Sequence, residues 1–340
     1  MNPLVSILIP AYNAEEWIAD TVRSALAQTW PNKEIIVVDD GSTDQTLSVA
    51  RQFVSETVRV VTQENQGAAA ARNRAFALCQ GDYIQWLDAD DLLAPDKITT
   101  QMKAFTSGTS DRKLLSGAWA YFMHRPQKAK FIPSALWCDL SPVEWLVRKM
   151  AYNLHMQTAT WLVSRELTEA AGPWDTRLMG DDDGEYFCRV LMAGQGVHFV
   201  REARVYYRLA PGSWSYIGQS ERKLVAQFES MKLHISYLRS LEDSERVRTA
   251  CVTYLQNWLP KFYPERPDLL NQLEQLAETF GGRLKPPKFS WKYSWIEKTF
   301  SYSAAKRAQL SYNQWKASSL RAFDKFLLRL ERRECSGQLR

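Results

Sequence analysis

Along the first hundred positions, short unbroken apolar runs alternate with helically spaced apolar residues. Val5-Ser6-Ile7-Leu8-Ile9 and Glu34-Ile35-Ile36-Val37-Val38 are β-branched stretches of strand length, each closed by a turn-forming or acidic residue. Between them, Trp17, Ile18, Val22, Ala25 and Leu26 recur at helical spacing from Glu15 to Gln28. A strand, a helix and a strand in so short a span make a βαβ unit with parallel strands. A second helix through Val49 and Phe53 leads to the strand Val58-Arg59-Val60-Val61, and an alanine-rich helix from Ala68 to Leu78 precedes the strand Tyr83-Ile84-Gln85-Trp86-Leu87. The pattern predicts an α/β fold with an open, mostly parallel central sheet flanked by helices. In such sheets ligands bind beyond the carboxyl ends of the strands. Asp39, Asp40 and the run from Asp88 to Asp91 all fall at those ends.

From about residue 106 the pattern loosens. Leu114–Met123 and Thr158–Ser164 read as strands, Pro142–Met150 and Gly184–Met192 as helices, and His198–Val200 with Arg204–Leu209 as a closing pair of strands. Beyond about residue 220 strand signals vanish, and Arg222–Leu241, Ser244–Trp258 and Leu269–Phe280 read as amphipathic helices. Gly281-Gly282 and Pro286-Pro287 mark a break before the last segment. The expected organisation is a catalytic α/β unit over 1–220, divided into halves 1–105 and 106–220, and a helical extension over 221–340.

Charge sharpens this division. Residues 281–340 hold fourteen Lys and Arg against four acids, net +10, so the preceding 280 residues are net −5 within a chain total of +5. The 340 residues are 45% hydrophobic, enough for a substantial core. The five cysteines are scattered with no CxxC spacing, which suggests neither a disulfide framework nor a thiolate zinc site and fits a reducing, cytoplasmic setting. The N-terminal apolar run ends at Pro10 after no basic segment, so neither a signal peptide nor a membrane span is expected.

The chain lacks a GxGxxG after its first strand, a GxxxxGK[ST] loop, an HExxH helix and a GxSxG elbow. Dinucleotide dehydrogenases, P-loop NTPases, zincins and α/β-hydrolases are thereby disfavoured. The strand-end loops offer other chemistry. Pro10-Ala11-Tyr12-Asn13 supplies an aromatic face and an amide; Asp39 and Asp40 can accept from a base N–H or a ribose hydroxyl. Gly67 and the small residues after it allow close approach, and Arg72 brings fixed positive charge toward a phosphate. Asp88-Ala89-Asp90-Asp91 crowds three carboxylates that repel one another. A hard divalent cation shared with a diphosphate explains such a cluster, and a polar turn leaving the strand explains it equally well.

The order and spacing of these loops are similar to those of the family 2 glycosyltransferases, inverting enzymes of the GT-A fold. The matching residues are Val5–Asn13, Ser24–Thr29, Glu34–Asp44, Gln63–Gly67, Ala71-Arg72-Asn73 and Leu87–Asp91. A looser likeness continues through Ala171–Asp175, Asp182–Arg189 and Tyr206-Tyr207-Arg208. The resemblance implies transfer of a sugar from a nucleotide-diphosphate donor, UDP-linked by expectation, to a hydroxyl of a sugar, lipid-linked glycan or protein, with Mg²⁺ or Mn²⁺ as cofactor. It makes the Pro10, Tyr12, Asn13 turn and Asp39 and Asp40 the base-binding loops, with Asp40 accepting from a uracil-type N–H. Gly67 and Arg72 then flank the nucleotide, Asp88 contacts the ribose and the metal region, Asp90 is the direct metal ligand, and Asp91 is a helper or a turn cap. The acidic pair Asp182 and Asp183 supplies the base that deprotonates the acceptor, with Asp183 the candidate and Asp182 one residue of slippage away.

Trp161, Trp174 and Trp214 are candidates for stacking on acceptor sugars, against the alternative of an ordinary core role. In the basic tail, Phe323, Phe326, Leu327 and Leu330 share a helix face, so the tail either meets an anionic inner-membrane surface or packs on the body. Nucleic acid is not an expected partner of an acidic body without a recognition motif. Two rival functions remain: a nucleotidyltransferase, which lacks its basic glycine-rich loop here, and a nucleotide-sugar-binding module without catalysis.

Overall fold

The computed structural model describes residues 2–106, 112–210 and 220–337. β1 (Val5–Ala11), α1 (Ile18–Leu26), β2 (Lys33–Asp39), α2 (Thr46–Arg51), β3 (Val58–Thr62), α3 (Ala68–Leu78) and β4 (Tyr83–Trp86) follow in alternation. The strands form a parallel sheet in the order β3-β2-β1-β4, to which β7 (Val163–Ser164) adds an antiparallel edge. Val5 to Ala11 is buried at every position, as expected of a central strand covered on both faces.

A second sheet holds β5 (Leu92–Leu93), β8 (Val197–Arg208) and β6 (Leu114–Phe122), in that order. The expected pair of strands at His198–Val200 and Arg204–Leu209 is one strand, β8, running parallel to β6. Its register jumps between Gly117 and Ala118, where Val200 and Arg204 are the successive partners. Gly117 permits the jump: a Cβ there would lie 2.2 Å from the Ala203 carbonyl oxygen. The expected strand at Thr158–Ser164 is also corrected, to a 3₁₀ turn at Thr158–Thr160 followed by the two-residue β7. Gln157 caps that turn by accepting from the Ala159 N–H at 2.6 Å, a local bond that competes with strand pairing.

Between and around these strands lie α4 (Lys97–Thr106), α5 (Pro142–Ala151), α6 (Arg165–Ala171) and α7 (Asp182–Ala193). The helices α8 (Glu221–Leu241), α9 (Glu245–Phe262), α10 (Pro267–Thr279), α11 (Trp291–Thr299) and α12 (Tyr302–Gly337) follow. The first three are more than an appendage. One continuous apolar cluster runs from Leu8, Ile36 and Trp86 of the sheet through Tyr186 and Leu191 of α7 to Phe228, Met231, Leu255 and Leu273. Each fully buried side chain of this size contributes roughly 1.5–3 kcal/mol, so α8 to α10 are welded to the body by its own core.

In contrast, α12 returns to the body through its polar face. Asp324 accepts from the His124 N–H at 2.9 Å and from Arg125 Nε at 2.7 Å, and Glu331 accepts from Arg125 Nη1 at 2.7 Å. Phe323, Phe326 and Leu330 are left exposed.

Candidate active site

The carboxyl end of β4 and the start of α3 open into a cleft of about 990 Å³, lined by Gly67, Arg72, Asp88, Asp90 and Asp181 to Asp183; Pro10, Tyr12, Asn13, Asp39 and Asp40 lie outside its lining. On the β2 side, Asn13 joins two loops: its N–H donates to Ser42 Oγ at 3.0 Å and its Oδ1 accepts from the Thr43 N–H at 2.9 Å. Pro10 is buried beneath this turn, and Tyr12 stands half exposed above it. Asp40, expected to accept from a base, spends both oxygens on the following loop. Oδ1 accepts from Gln63 Nε2 at 2.7 Å and the Gln66 N–H at 3.0 Å, and Oδ2 accepts from the Gly67 N–H at 2.8 Å. Asp39 is different. Its Oδ2 accepts from Thr62 Oγ1 at 2.9 Å, while its Oδ1 is buried and has no donor among the described residues. Such an acceptor is costly to leave open.

The centre of the cleft is organised by Arg72 on α3. Nη2 donates to Asp88 Oδ1 at 2.8 Å and Nη1 to Asp182 Oδ2 at 2.7 Å. Its guanidinium lies 4.4 Å from the Trp174 ring, which in turn stacks on Tyr186 at 4.0 Å and 9°. Burial disfavours the cation, but the charges of Asp182 and Asp88 outweigh it and raise the Arg72 pKa. The Asp88 loop and the Asp182 loop are thus brought together by one rigid fork.

Asp90 and Asp91 then divide their work. Asp91 is fully buried, accepting from the Arg208 N–H at 2.8 Å and from Gln157 Nε2, and is a structural residue of the turn. Arg208 Nε holds the Asp90 carbonyl at 2.7 Å. The Asp90 carboxylate accepts no side-chain hydrogen bond among the described residues, and burial, together with the Asp88 charge, pushes its pKa up to about 6. A carboxylate destabilised in this way fits a divalent cation, which takes one or two carboxylates and completes its shell with phosphate and water. Among the described residues no cluster of three or more His, Cys, Asp and Glu is arranged to hold an ion unaided.

Asp181, Asp182 and Asp183 open α7, and the structure gives each a separate environment. Asp181 has φ +56 and faces away from Asp88, toward α8; its Oδ2 accepts from Ser230 Oγ at 2.9 Å and Gln227 Nε2 at 3.1 Å. Burial pushes its pKa up, yet Lys149, His234 and those hydrogen bonds bring it below the ordinary value. Gly184 makes this fold-back possible, because a Cβ at that position would lie 2.1 Å from Asp181 Oδ1. Asp182 is tied to Arg72, although burial still raises its pKa. Asp183 has one weak partner, Thr158 Oγ1 at 3.1 Å. Burial first, then repulsion from Asp182 and Asp181, pushes its carboxyl to about 7. Beyond it, Glu185 is buried and held by Arg189 and by Tyr237 Oη at 2.6 Å.

The structure does not bring every candidate to the cleft. Trp161 and Trp174 are 1% and 2% exposed, packed in the aromatic core against Phe187 and Tyr186, so neither has a face for a sugar. Trp214 lies outside the described residues. Conversely, Arg208, Gln157, Lys149, Gln227 and Tyr207 reach the site with no site role expected of them from sequence; only Tyr207 and Arg208 stood in a stretch with any family likeness.

The model of glycosyl transferase family 2 matches residues 6–112. The chain carries a glycosyl transferase family 2 domain. Over 125 residues the chain is 43% identical to chondroitin synthase of Escherichia coli, covering 36% of this chain and 17% of that protein. The chain spans less than half the length of the curated relatives it matches first. The structure of S. aureus TarS 1–349 in complex with UDP-GlcNAc superposes with a TM-score of 0.62 at 17% identity, over 81% of this chain and 80% of that one. Mannosyltransferase PcManGT from Pyrobaculum calidifontis, in complex with GDP-Man and Mn²⁺, gives 0.55 at 17% identity, over 96% and 88%. These likenesses establish the GT-A fold around the family 2 domain.

Proposed function

We propose that the chain is an inverting glycosyltransferase that moves a sugar from a UDP-linked donor to a hydroxyl acceptor in the synthesis of a polysaccharide or other glycoconjugate. One observation carries the reading: Arg72 joins the Asp88 loop to the Asp182–Asp183 helix start, so a diphosphate site and a candidate base face the same cleft. The family 2 domain, and fold neighbours bound to UDP-GlcNAc and to GDP-Man with Mn²⁺, support the donor class.

In this reading Asp39 Oδ1 accepts from the base N–H, Tyr12 covers the base, and Asp88 takes a ribose hydroxyl. Asp90, with Asp88 beside it, holds Mg²⁺ or Mn²⁺, which when bound neutralises charge on the departing diphosphate. Arg72 supplies fixed positive charge next to the same group. Asp183 takes the proton from the acceptor hydroxyl as that oxygen attacks the anomeric carbon; a carboxyl near 7 is ionised in useful amount and basic enough for the task. The division into a transfer unit at 1–220 and a helical extension at 221–340 belongs to the same proposal, with α8 anchoring Asp181 across the boundary.

The extension also favours attachment to an anionic membrane at the cytoplasmic face. Trp291, Trp295, Phe300, Trp315, Phe323 and Phe326 are exposed on α11, α12 and the junction between them, among the Lys and Arg of the basic tail. The four described cysteines are unpaired, in keeping with a reducing compartment. No described helix is long and apolar enough to cross a membrane.

The test is a thermal-shift panel of nucleotide-sugars with and without Mn²⁺, followed by donor turnover. A metal-dependent shift with a UDP-sugar and turnover abolished by Asp183→Asn support the reading. Binding without turnover in the wild type selects the non-catalytic module, and no metal-dependent shift with any nucleoside diphosphate overturns the assignment. Flotation with anionic liposomes, comparing the full chain with Phe323→Ser/Phe326→Ser, tests the membrane face.

A further inference from the structure

Past Asp183 the cleft continues into an arm walled by α5, α8 and α9, and its chemistry changes there. Lys149 of α5, Lys223 of α8 and Lys261 of α9 line this arm. None of the acids lining the cleft comes from those helices: Asp88 and Asp90 follow β4, and Asp181 to Asp183 open α7. The lysines of the cleft are therefore confined to these three helices, where Asp181, turned toward α8, is the nearest carboxylate.

Lys149 is the residue that gives this arrangement meaning. It is only 6% exposed, yet its ammonium makes no hydrogen bond or ion pair among the described residues. Asp181 is influenced by its charge but lies beyond ion-pairing distance and spends its Oδ2 on Ser230 and Gln227. The Lys149 stem is buried while its ammonium opens on the cleft, and a cation held there without a hydrogen-bonded partner is placed to meet a ligand anion. Gln227 of α8, fully buried in the lining of the same cleft, adds a second unfilled group. Its Nε2 is committed to Asp181 Oδ2 at 3.1 Å, which leaves Oε1 buried with no donor. A cation and an open acceptor lining one cleft match an anion that carries a hydroxyl.

We propose that this arm is the acceptor subsite and that it selects an anionic acceptor, a phosphate or carboxylate group seated on Lys149 with an adjoining sugar hydroxyl donating to Gln227 Oε1. The inference rests on the transferase reading above, because it takes Asp183 to mark where the acceptor hydroxyl lies. The anion would approach past carboxylates that are already compensated: Asp182 by Arg72, and Asp181 by its hydrogen bonds. A neutral acceptor would leave Lys149 with Asp181 as its nearest charge and no hydrogen-bonded partner.

The full chain, saturated with UDP and Mg²⁺ so that the donor side is filled, is titrated with inorganic phosphate and separately with glucuronate against a chloride control of equal ionic strength. Thermal midpoint is the readout. A saturable shift with either anion is expected, and the anion that gives it assigns the acceptor as phosphoryl or carboxylate. Lys149→Gln weakens that binding about tenfold or more, Lys149→Arg largely retains it, and UDP affinity is unchanged in both. Should Lys149→Gln fail to fold, Lys261→Gln on an exposed site provides a smaller loss on the same wall. Neither anion binding, or equal binding by wild type and Lys149→Gln, overturns the proposal. Failure of UDP itself to bind sinks the donor reading instead, and the same titrations without UDP then judge the lysine site alone.

Discussion

Arg72 Nη1 donates to Asp182 Oδ2 over 2.7 Å, closing a sequence separation of 110 residues with one bond. The same guanidinium holds Asp88, so the two acidic loops keep their spacing only while the fork is intact.

Arg72→Met removes the cation and leaves two partly buried carboxylates facing each other. We expect a loss of about 2–3 kcal/mol in denaturant unfolding, below the cost at a fully dry site because both carboxylates keep some water. Adding Asp182→Asn should recover part of it, which a double-mutant cycle measures. Additive losses would deny the coupling.

The Asp183 carboxyl titrates at about 7 in the folded chain against an ordinary 3.8. Transfer should therefore rise with pH through about 7, and Asp183→Asn should lower kcat by roughly a hundredfold or more. Stability runs the other way. Between the two values the folded state holds a proton that the unfolded state has released, so stability is full below about 4 and declines as pH rises through 7. Asp183→Asn should be the more stable protein at pH 8, with the difference shrinking toward pH 4 in parallel melts.

Asp90→Asn removes the carboxylate best placed for a cation. Mn²⁺ should then no longer enhance UDP binding in calorimetry, whereas metal-free UDP affinity should stay within about twofold, since the contacts proposed for base and ribose involve Asp39 and Asp88 instead. A preserved Mn²⁺ enhancement would move the metal site away from Asp90.

Gly184→Ala places a methyl 2.1 Å from Asp181 Oδ1, so Asp181 must leave its bonds to Ser230 and Gln227. A destabilisation of about 1–3 kcal/mol is expected, with a lower kcat because the start of α7 shifts with Asp183. Wild-type melting would show that the α8 contact does not hold this loop.

What the chain order determined by itself is local. β1 to β4, α3 and the positions of Asp39, Asp88 and Asp90 at strand ends follow from period, β-branching and turn chemistry, all of which act within a few residues. The resemblance already set Asp90 apart from Asp91, but whether Asp91 helps at the site or caps the turn needed the tertiary structure, because only β8, arriving from residue 197 onward, brings Arg208 to claim Asp91. The three acids at 181–183 look alike in sequence, and they become an α8 anchor, an Arg72 partner and a near-neutral candidate base through contacts made 25 to 110 positions away. Trp161 and Trp174 were equally ambiguous, since an aromatic side chain suits a sugar or a core, and the stacking of Phe187 and Tyr186 settled them as core. Lys149 carried no signal at all: on an amphipathic helix it reads as a solvated charge, and only the packing of α5 against α7, α8 and α9 buries it in the wall of the cleft.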